Sequence, residues 1–231
     1  MDRRSRSAPV DHARDVDTVI RVLIADDHAA IRSGLAMIVG SAPGYTVVGE
    51  AVDGQDAVDQ ARAHSPDVVL MDVRMPGLDG IEATAAVVGN ELARVLILTT
   101  FDIDDYVFRA LEAGASGFVL KSVSADALLD AIAAVHAGDG VLAPEVTRRV
   151  IDAFAAGGRD IPKVGPPGLA DLTDREHDVL RCLGDGMSNA AIARELFIGE
   201  TTVKTHVSRV LTKLGVTSRV QAAILARSQP R

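Results

Sequence analysis

The sequence predicts a doubly wound α/β domain over residues 19–140 and a second, smaller all-α domain over 169–231. Three observations lead there. Between Val19 and Ala137, short apolar runs alternate with longer amphipathic stretches, the pattern of repeated βα units feeding a parallel sheet. Residues 157–168, GGRDIPKVGPPG, are too rich in Gly and Pro for regular structure and read as a linker. Beyond the linker, helical periodicity runs through four short segments with recognisable helix starts.

Strands are expected near 20–25, 45–49, 67–71, 94–99 and 117–120, and helices near 28–40, 54–64, 79–89, 103–114 and 124–137. The strands are continuously rather than alternately apolar, because helices cover both faces of such a sheet. Gly114, Gly117, Gly138 and Gly140 fall where a helix ends or a strand begins. Pro144 opens one further helix to Ala156, since the first helical turn tolerates a residue without an N–H. The connecting segment is thus 141–168. In the last domain Thr173 and Glu176 form a capping-box pattern ahead of Val179, Leu180 and Leu183. Ser188 caps a helix bearing Ile192 and Leu196. A third helix, 201–214, carries Val203, Val207, Val210, Leu211 and Leu214, and a fourth, capped by Ser218, carries Val220, Ala223, Ile224 and Leu225.

Hydrophobic residues make up 48% of the 231, enough for two cores, but aromatics are only 3% and Trp is absent, so aliphatic side chains and Ala must do the packing. The one cysteine, Cys182, excludes an internal disulfide framework and a cysteine metal site, and a cytoplasmic location is expected. Cys182 lies between Leu180 and Leu183 and is expected in the core. No run approaches membrane-spanning length. Residues 1–18 are charged throughout, lack the apolar core of a signal peptide and read as a mobile tail. The net charge of −8 hides an asymmetry: Val19 to Ala156 holds nine basic and twenty acidic residues, whereas Leu169 to the end holds nine basic and seven acidic. From Thr201 onward Lys204, Arg209, Lys213, Arg219, Arg227 and Arg231 occur with no acidic residue among them, a face suited to polyanions.

Charge also collects at strand ends, where open α/β sheets keep their chemistry. Asp26 and Asp27 follow Val22-Leu23-Ile24-Ala25, Asp72 follows Val68-Val69-Leu70-Met71, Thr99 ends Val95-Leu96-Ile97-Leu98, and Lys121 follows Phe118-Val119-Leu120. Singly, each has a structural explanation as a cap, a strand end or a solvated charge. Together they form a chemical set. A carboxylate attacks phosphorus competently, a hard divalent cation such as Mg²⁺ relieves the repulsion between the two anions, and a lysine holds the phosphoryl oxygens.

ADDH (25–28), MDVRMPGLDG (71–80), Thr99 and GASGFVLK (114–121) give residues 19–137 a resemblance to the response-regulator receiver domain of bacterial two-component signalling, a flavodoxin-like fold. The resemblance implies that Asp72 is the phosphoacceptor and that Asp26, Asp27, Asp72 and the Arg74 backbone carbonyl hold Mg²⁺. It also implies that Thr99 and Lys121 read the phosphoryl group, delivered by a sensor histidine kinase. Phe118 stands where that family places an aromatic switch, with plain core packing as the alternative.

Residues 171–226 resemble the LuxR-type helix-turn-helix domain through Leu172-Thr173, Arg175-Glu176, Val179-Leu180, Gly186, Ser188-Asn189, Ile192-Ala193, Leu196, Thr202-Val203-Lys204, His206-Val207 and Lys213-Leu214. Helix 201–214 then enters the major groove of double-stranded DNA. Lys204, Thr205 and Ser208 are placed to meet bases, and Arg209, Lys213 and Arg219 to meet phosphates. The fourth helix, with Val220, Ile224 and Leu225, becomes the dimer surface. Two departures stand out: Ala191 replaces a common Glu, and Ser208 a longer basic side chain.

The joint expectation is a phosphorylation-controlled transcription regulator of the NarL/FixJ type, a homodimer on paired half-sites when phosphorylated, with no membrane partner and no enzymatic turnover. A phosphatase or phosphotransferase would need a second acid two residues after the nucleophile, and Arg74 stands there. A receiver that binds DNA without phosphorylation is the other alternative.

Overall fold

The computed structural model describes residues 19–99, 109–142 and 168–228. The expected tail, the start of helix 103–114, helix 144–156 and all but the last residue of the 157–168 linker lie outside the described residues.

Six strands form one parallel sheet: β1 (Ile20–Ala25), β2 (Tyr45–Ala51), β3 (Val68–Asp72), β4 (Arg94–Thr99), β5 (Gly117–Leu120) and β6 (Val141–Leu142), ordered β2-β1-β3-β4-β5-β6. Between them run α1 (Ala29–Ser41), α2 (Gly54–His64), α3 (Gly80–Gly89) and α4 (Ala125–Ala137). Successive strand side chains point to opposite faces. Val22, Ile24, Val68, Leu70, Leu96 and Leu98 therefore pack with Val39, Leu128 and Ile132 of α1 and α4. Leu23, Ala25, Val69, Met71, Val95 and Ile97 pack with Ala57 and Val58 of α2 and Ile81, Ala83 and Val87 of α3. Both faces are dry, which is why the strands carry no polar alternation.

Two details depart from the expected sheet. Strand β2 runs on to Ala51 and slips register against β1, with Val22 opposite Val47 but Leu23 opposite Gly49. Strand β6 was not expected. Two residues are too short for any periodicity, and the strand is defined only by pairing, with Gly117 opposite Val141.

The second unit consists of a short 3₁₀ turn (Leu169–Asp171) and α5 (Asp174–Gly184), α6 (Asn189–Leu196), α7 (Glu200–Leu214) and α8 (Arg219–Ser228). The Thr173–Glu176 capping box is present in both directions, and the Ser188 hydroxyl accepts from the Ala191 N–H. Val179, Leu183, Ile192, Val203, Val207, Val210 and Leu214 close a core that includes Cys182. Inside it sits a charge: Glu176 is 2% exposed. Its carboxylate lies 2.7 Å from the Lys213 ammonium, which also donates to the Asp171 carbonyl, so one ion pair ties α5 to the end of α7. The Lys213 hydrogen bond, with the N–H of Thr173, lowers the Glu176 carboxyl to about 2. A depressed carboxylate stabilises the fold above its unfolded value and loses that contribution as pH falls from about 4.5 to about 2. Lys213→Ala should cost about 3 kcal/mol at pH 7 by stranding the buried carboxylate, with the deficit shrinking toward pH 2–3. Urea melts followed by circular dichroism at the two pH values check this.

Candidate functional site

The ends of β1, β3, β4 and β5 converge at one edge of the sheet. Asp26 is fully buried, Asp72 is 6% exposed and Thr99 is 7% exposed. Lys121, just past β5, places its ammonium 2.7 Å from an Asp26 oxygen and 2.9 Å from an Asp72 oxygen. Its backbone N–H donates to the Thr99 carbonyl at 2.8 Å, continuing the β4–β5 ladder up to the site. The other oxygens are taken locally: the Asp26 side chain accepts from the His28 N–H, and that of Asp72 from the Val73 N–H. Arg32 donates to the Asp26 carbonyl at 2.7 Å. Asp27 is the more exposed carboxylate, with an oxygen 2.6 Å from the His28 ring. One ligand atom from each of Asp26, Asp27, His28 and Asp72 falls in a cluster whose members all lie within 4.8 Å of one another.

The electrostatics follow from crowding. Burial pushes the Asp72 carboxyl up, and the Asp26 charge adds to this, while Lys121 and the Val73 N–H pull the other way without winning. For Lys121, burial works against the ammonium, yet the hydrogen bonds to Asp26 and Asp72 outweigh it and raise its pKa. The site is therefore short of positive charge. An oxygen-rich donor set of this kind, clustered at a partly buried edge, fits a hard divalent cation of the Mg²⁺ type.

Gly80 fixes the wall behind Asp72. It opens α3 under an Asp79 cap and donates its N–H to the Val73 carbonyl at 3.0 Å. A Cβ there would lie 1.8 Å from the Asp72 carbonyl oxygen. The sequence placed this glycine in MDVRMPGLDG without revealing that contact.

In the second unit, Val203, Val207 and Val210 of α7 are buried, while Lys204, Thr205, Ser208 and Arg209 are exposed, as the amphipathic pattern requires. Not all of the expected nucleic-acid contacts stand free. Lys213 is held by Glu176, and Arg219 is 10% exposed, bound to Asp139. Helix α8 turns its Val220 into the receiver-side core, in the cluster that contains Phe118, Ala110, Leu111 and Ala115, and Ile224 packs against the same cluster. The Gln221 amide donates to the carbonyls of Leu111 and Glu112 at 2.7 and 3.1 Å. Leu225 is half-buried. Between the units lies a cleft of about 670 Å³, lined by Glu91, Arg94 and His136 on one side and Lys204, Ser208 and Thr212 on the other.

Comparison with known proteins agrees with this geometry. Residues 22–133 match the response regulator receiver domain, and residues 170–226 match the bacterial regulatory proteins of the LuxR family. The transcriptional regulatory protein LnrK of Bacillus subtilis is 42% identical over 212 residues, covering 89% of this chain and 96% of that one. This chain is a two-component response regulator of the LuxR type. Another relative, LiaR of the same organism, is 41% identical over 211 residues, covering 90% and 97%. The crystal structure of the response regulator ChrA, from a heme-sensing two-component system, superposes with a TM-score of 0.52 at 40% identity, covering 92% of this regulator and 98% of ChrA. Its relatives are transcriptional regulators rather than enzymes, and the family implies a sensor kinase and DNA as partners. Among the described residues no helix is long and apolar enough to cross a membrane.

Residues to which the sequence reading gave no functional role include His28, Asp139, Asn189 and Gln221. Asp139 sat between Gly138 and Gly140 as helix punctuation, and its partner Arg219 lies 80 positions away, beyond any local pattern. For Gly80, Gly80→Ala should lower stability by about 2–4 kcal/mol, because backbone rather than a flexible side chain must give way. Gly89→Ala, with no atom within 4 Å of the added Cβ, should be neutral or slightly stabilising. Thermal melts of both variants against the natural regulator make the comparison.

Proposed function

We propose that Asp72 takes a phosphoryl group from a sensor histidine kinase and that this event governs how the regulator holds double-stranded DNA. The observation that supports this most is the arrangement of Asp72 beside Lys121, at 2.9 Å, with Asp26 and Asp27 gathered on the same edge. An Asp72 carboxylate oxygen forms the new P–O bond as the P–N bond to the kinase histidine breaks, the departing nitrogen keeping the electron pair. Asp26, Asp27 and Asp72, with the Arg74 backbone carbonyl, are the residues that would hold Mg²⁺. When bound, the ion supplies positive charge between the carboxylates and the phosphoryl oxygens. Lys121 shifts part of its interaction from Asp72 to a phosphoryl oxygen, and Thr99 places its hydroxyl on another.

The domain limits that accompany this reading are 19–140 for the receiver, 141–168 for the connection and 169–231 for DNA binding, in a cytoplasmic protein. In the arrangement described, Lys204 and Ser208 line the cleft opposite Glu91, Arg94 and His136, so the receiver unit stands beside part of the expected DNA-reading face. Phosphorylation draws Thr99 inward, and because Phe118, already buried, shares its cluster with Val220, repacking around it disturbs the docking of α8. The freed chain pairs through Val220, Ile224 and Leu225 with a second copy on paired half-sites. Lys204, Thr205 and Ser208 then meet bases, while Arg209 and Arg219 meet phosphates; Lys213 adds to that charge once DNA competes for it.

Intact-protein mass after incubation with acetyl phosphate and Mg²⁺ should show one added phosphoryl group. The gain should vanish in Asp72→Asn and fall at least tenfold in rate without metal. A gain that persists in Asp72→Asn places the acceptor elsewhere.

A further inference from the structure

Helix α6 begins at Asn189, and its first backbone N–H does not point into solvent. It donates to an oxygen of the Asp139 carboxylate at 3.0 Å. The same oxygen is 2.5 Å from the Arg219 guanidinium. Arg219 is nine-tenths buried; the same Nη1 also lies 3.0 Å from the Gly138 carbonyl and 3.1 Å from the Asn189 side-chain oxygen, and Nη2 donates to the Met187 carbonyl at 2.6 Å. A preorganised guanidinium and a helix N-terminus thus converge on one anion.

All of the donors belong to the DNA-binding unit, and the anion belongs to the receiver unit. Asp139 follows the end of α4, and the approach is tight: a Cβ at Gly140 would lie 2.8 Å from Val220. A helix N-terminus with an arginine is the arrangement by which proteins hold phosphate diesters of a DNA backbone. A carboxylate offers the same charge sign and the same acceptor oxygens as such a phosphate.

We infer that the Asn189 N–H and the Arg219 guanidinium form a binding site for a DNA backbone phosphate, and that Asp139 occupies it as an intramolecular stand-in until the domains part. This rests on the DNA-binding reading given above and adds to it a specific ligand class and a competitor. The switch is an exchange of one anion for another. Steric occlusion of the recognition helix and loss of a phosphate anchor are removed together when Asp139 leaves. The site belongs to α6 and the start of α8, and Asp139, Asn189 and Arg219 line the same cleft as Lys204 and Ser208 of α7.

The test uses the full chain and a fluorescein-labelled 30-base-pair duplex of mixed sequence, followed by anisotropy over a range of salt concentrations. Unphosphorylated Asp139→Asn, close in size and without the charge, should bind the duplex about tenfold tighter than the natural chain. Its log affinity should fall more steeply with log salt by about 0.9, the increment of one added phosphate contact. Adding Arg219→Gln to Asp139→Asn should abolish both the gain and the extra slope, and Arg219→Lys should keep part of each. The phosphorylated natural chain serves as the reference. If it binds the duplex while Asp139→Asn gains neither affinity nor slope, the phosphate site is overturned and the DNA-binding reading stands. If no form binds any duplex, both fall.

Discussion

Three carboxylates crowded at one edge of a parallel sheet, with the Lys121 ammonium between two of them, are the constraint on which this molecule depends. Parallel strands end together, so residues distant in the chain arrive at a common edge, and the dry faces beneath leave those charges little water to share. Burial and the Asp26 charge both press on Asp72, and one lysine cannot neutralise the group. Such an edge is primed for a cation and, with it, for a phosphoryl group. The same imbalance makes the site sensitive: altering the charge on Asp72 alters the partner that Lys121 faces.

A packed route joins that edge to the second domain. Phe118 lies on β5 one layer below the acidic edge, and Val220 of the DNA-binding unit belongs to the same buried cluster. A fully buried valine contributes on the order of 2 kcal/mol, so docking of α8 is set by a handful of contacts. A two-state arrangement with a gap of a few kcal/mol can be tipped by one charged event. The Gln221 amide, which satisfies the carbonyls of Leu111 and Glu112, ties the same helix to the segment leading into β5.

Charges within the DNA-binding unit are divided between engaged and exposed. The buried Glu176–Lys213 pair fixes α5 against α7, and Arg219 is held among carbonyls and Asp139. Lys204, Thr205, Ser208 and Arg209 are exposed on α7, and of these Lys204 and Ser208 line the cleft. Counting basic residues along the helix overstates how many are free to meet a polyanion, because a basic side chain near a buried carboxylate is already engaged.

The sequence alone determined the parallel sheet, the four helices of the second unit and the residues Asp26, Asp27, Asp72, Thr99 and Lys121 as one set. Each of these is written in local patterns: continuous apolar runs for strands buried on two faces, caps such as Thr173 and Ser188, and charges that follow strand ends. Strand β6, the contact of Gly80 with the Asp72 carbonyl, the His28–Asp27 pairing and the Asp139–Arg219–Asn189 junction were decided by the tertiary structure. They join segments dozens of positions apart, and no periodicity encodes which acid an arginine will find. Only folding brings two surfaces close enough for a hydrogen bond to select a partner, and that is why the acidic edge of this regulator was legible in its sequence while the Asp139–Arg219 contact was not.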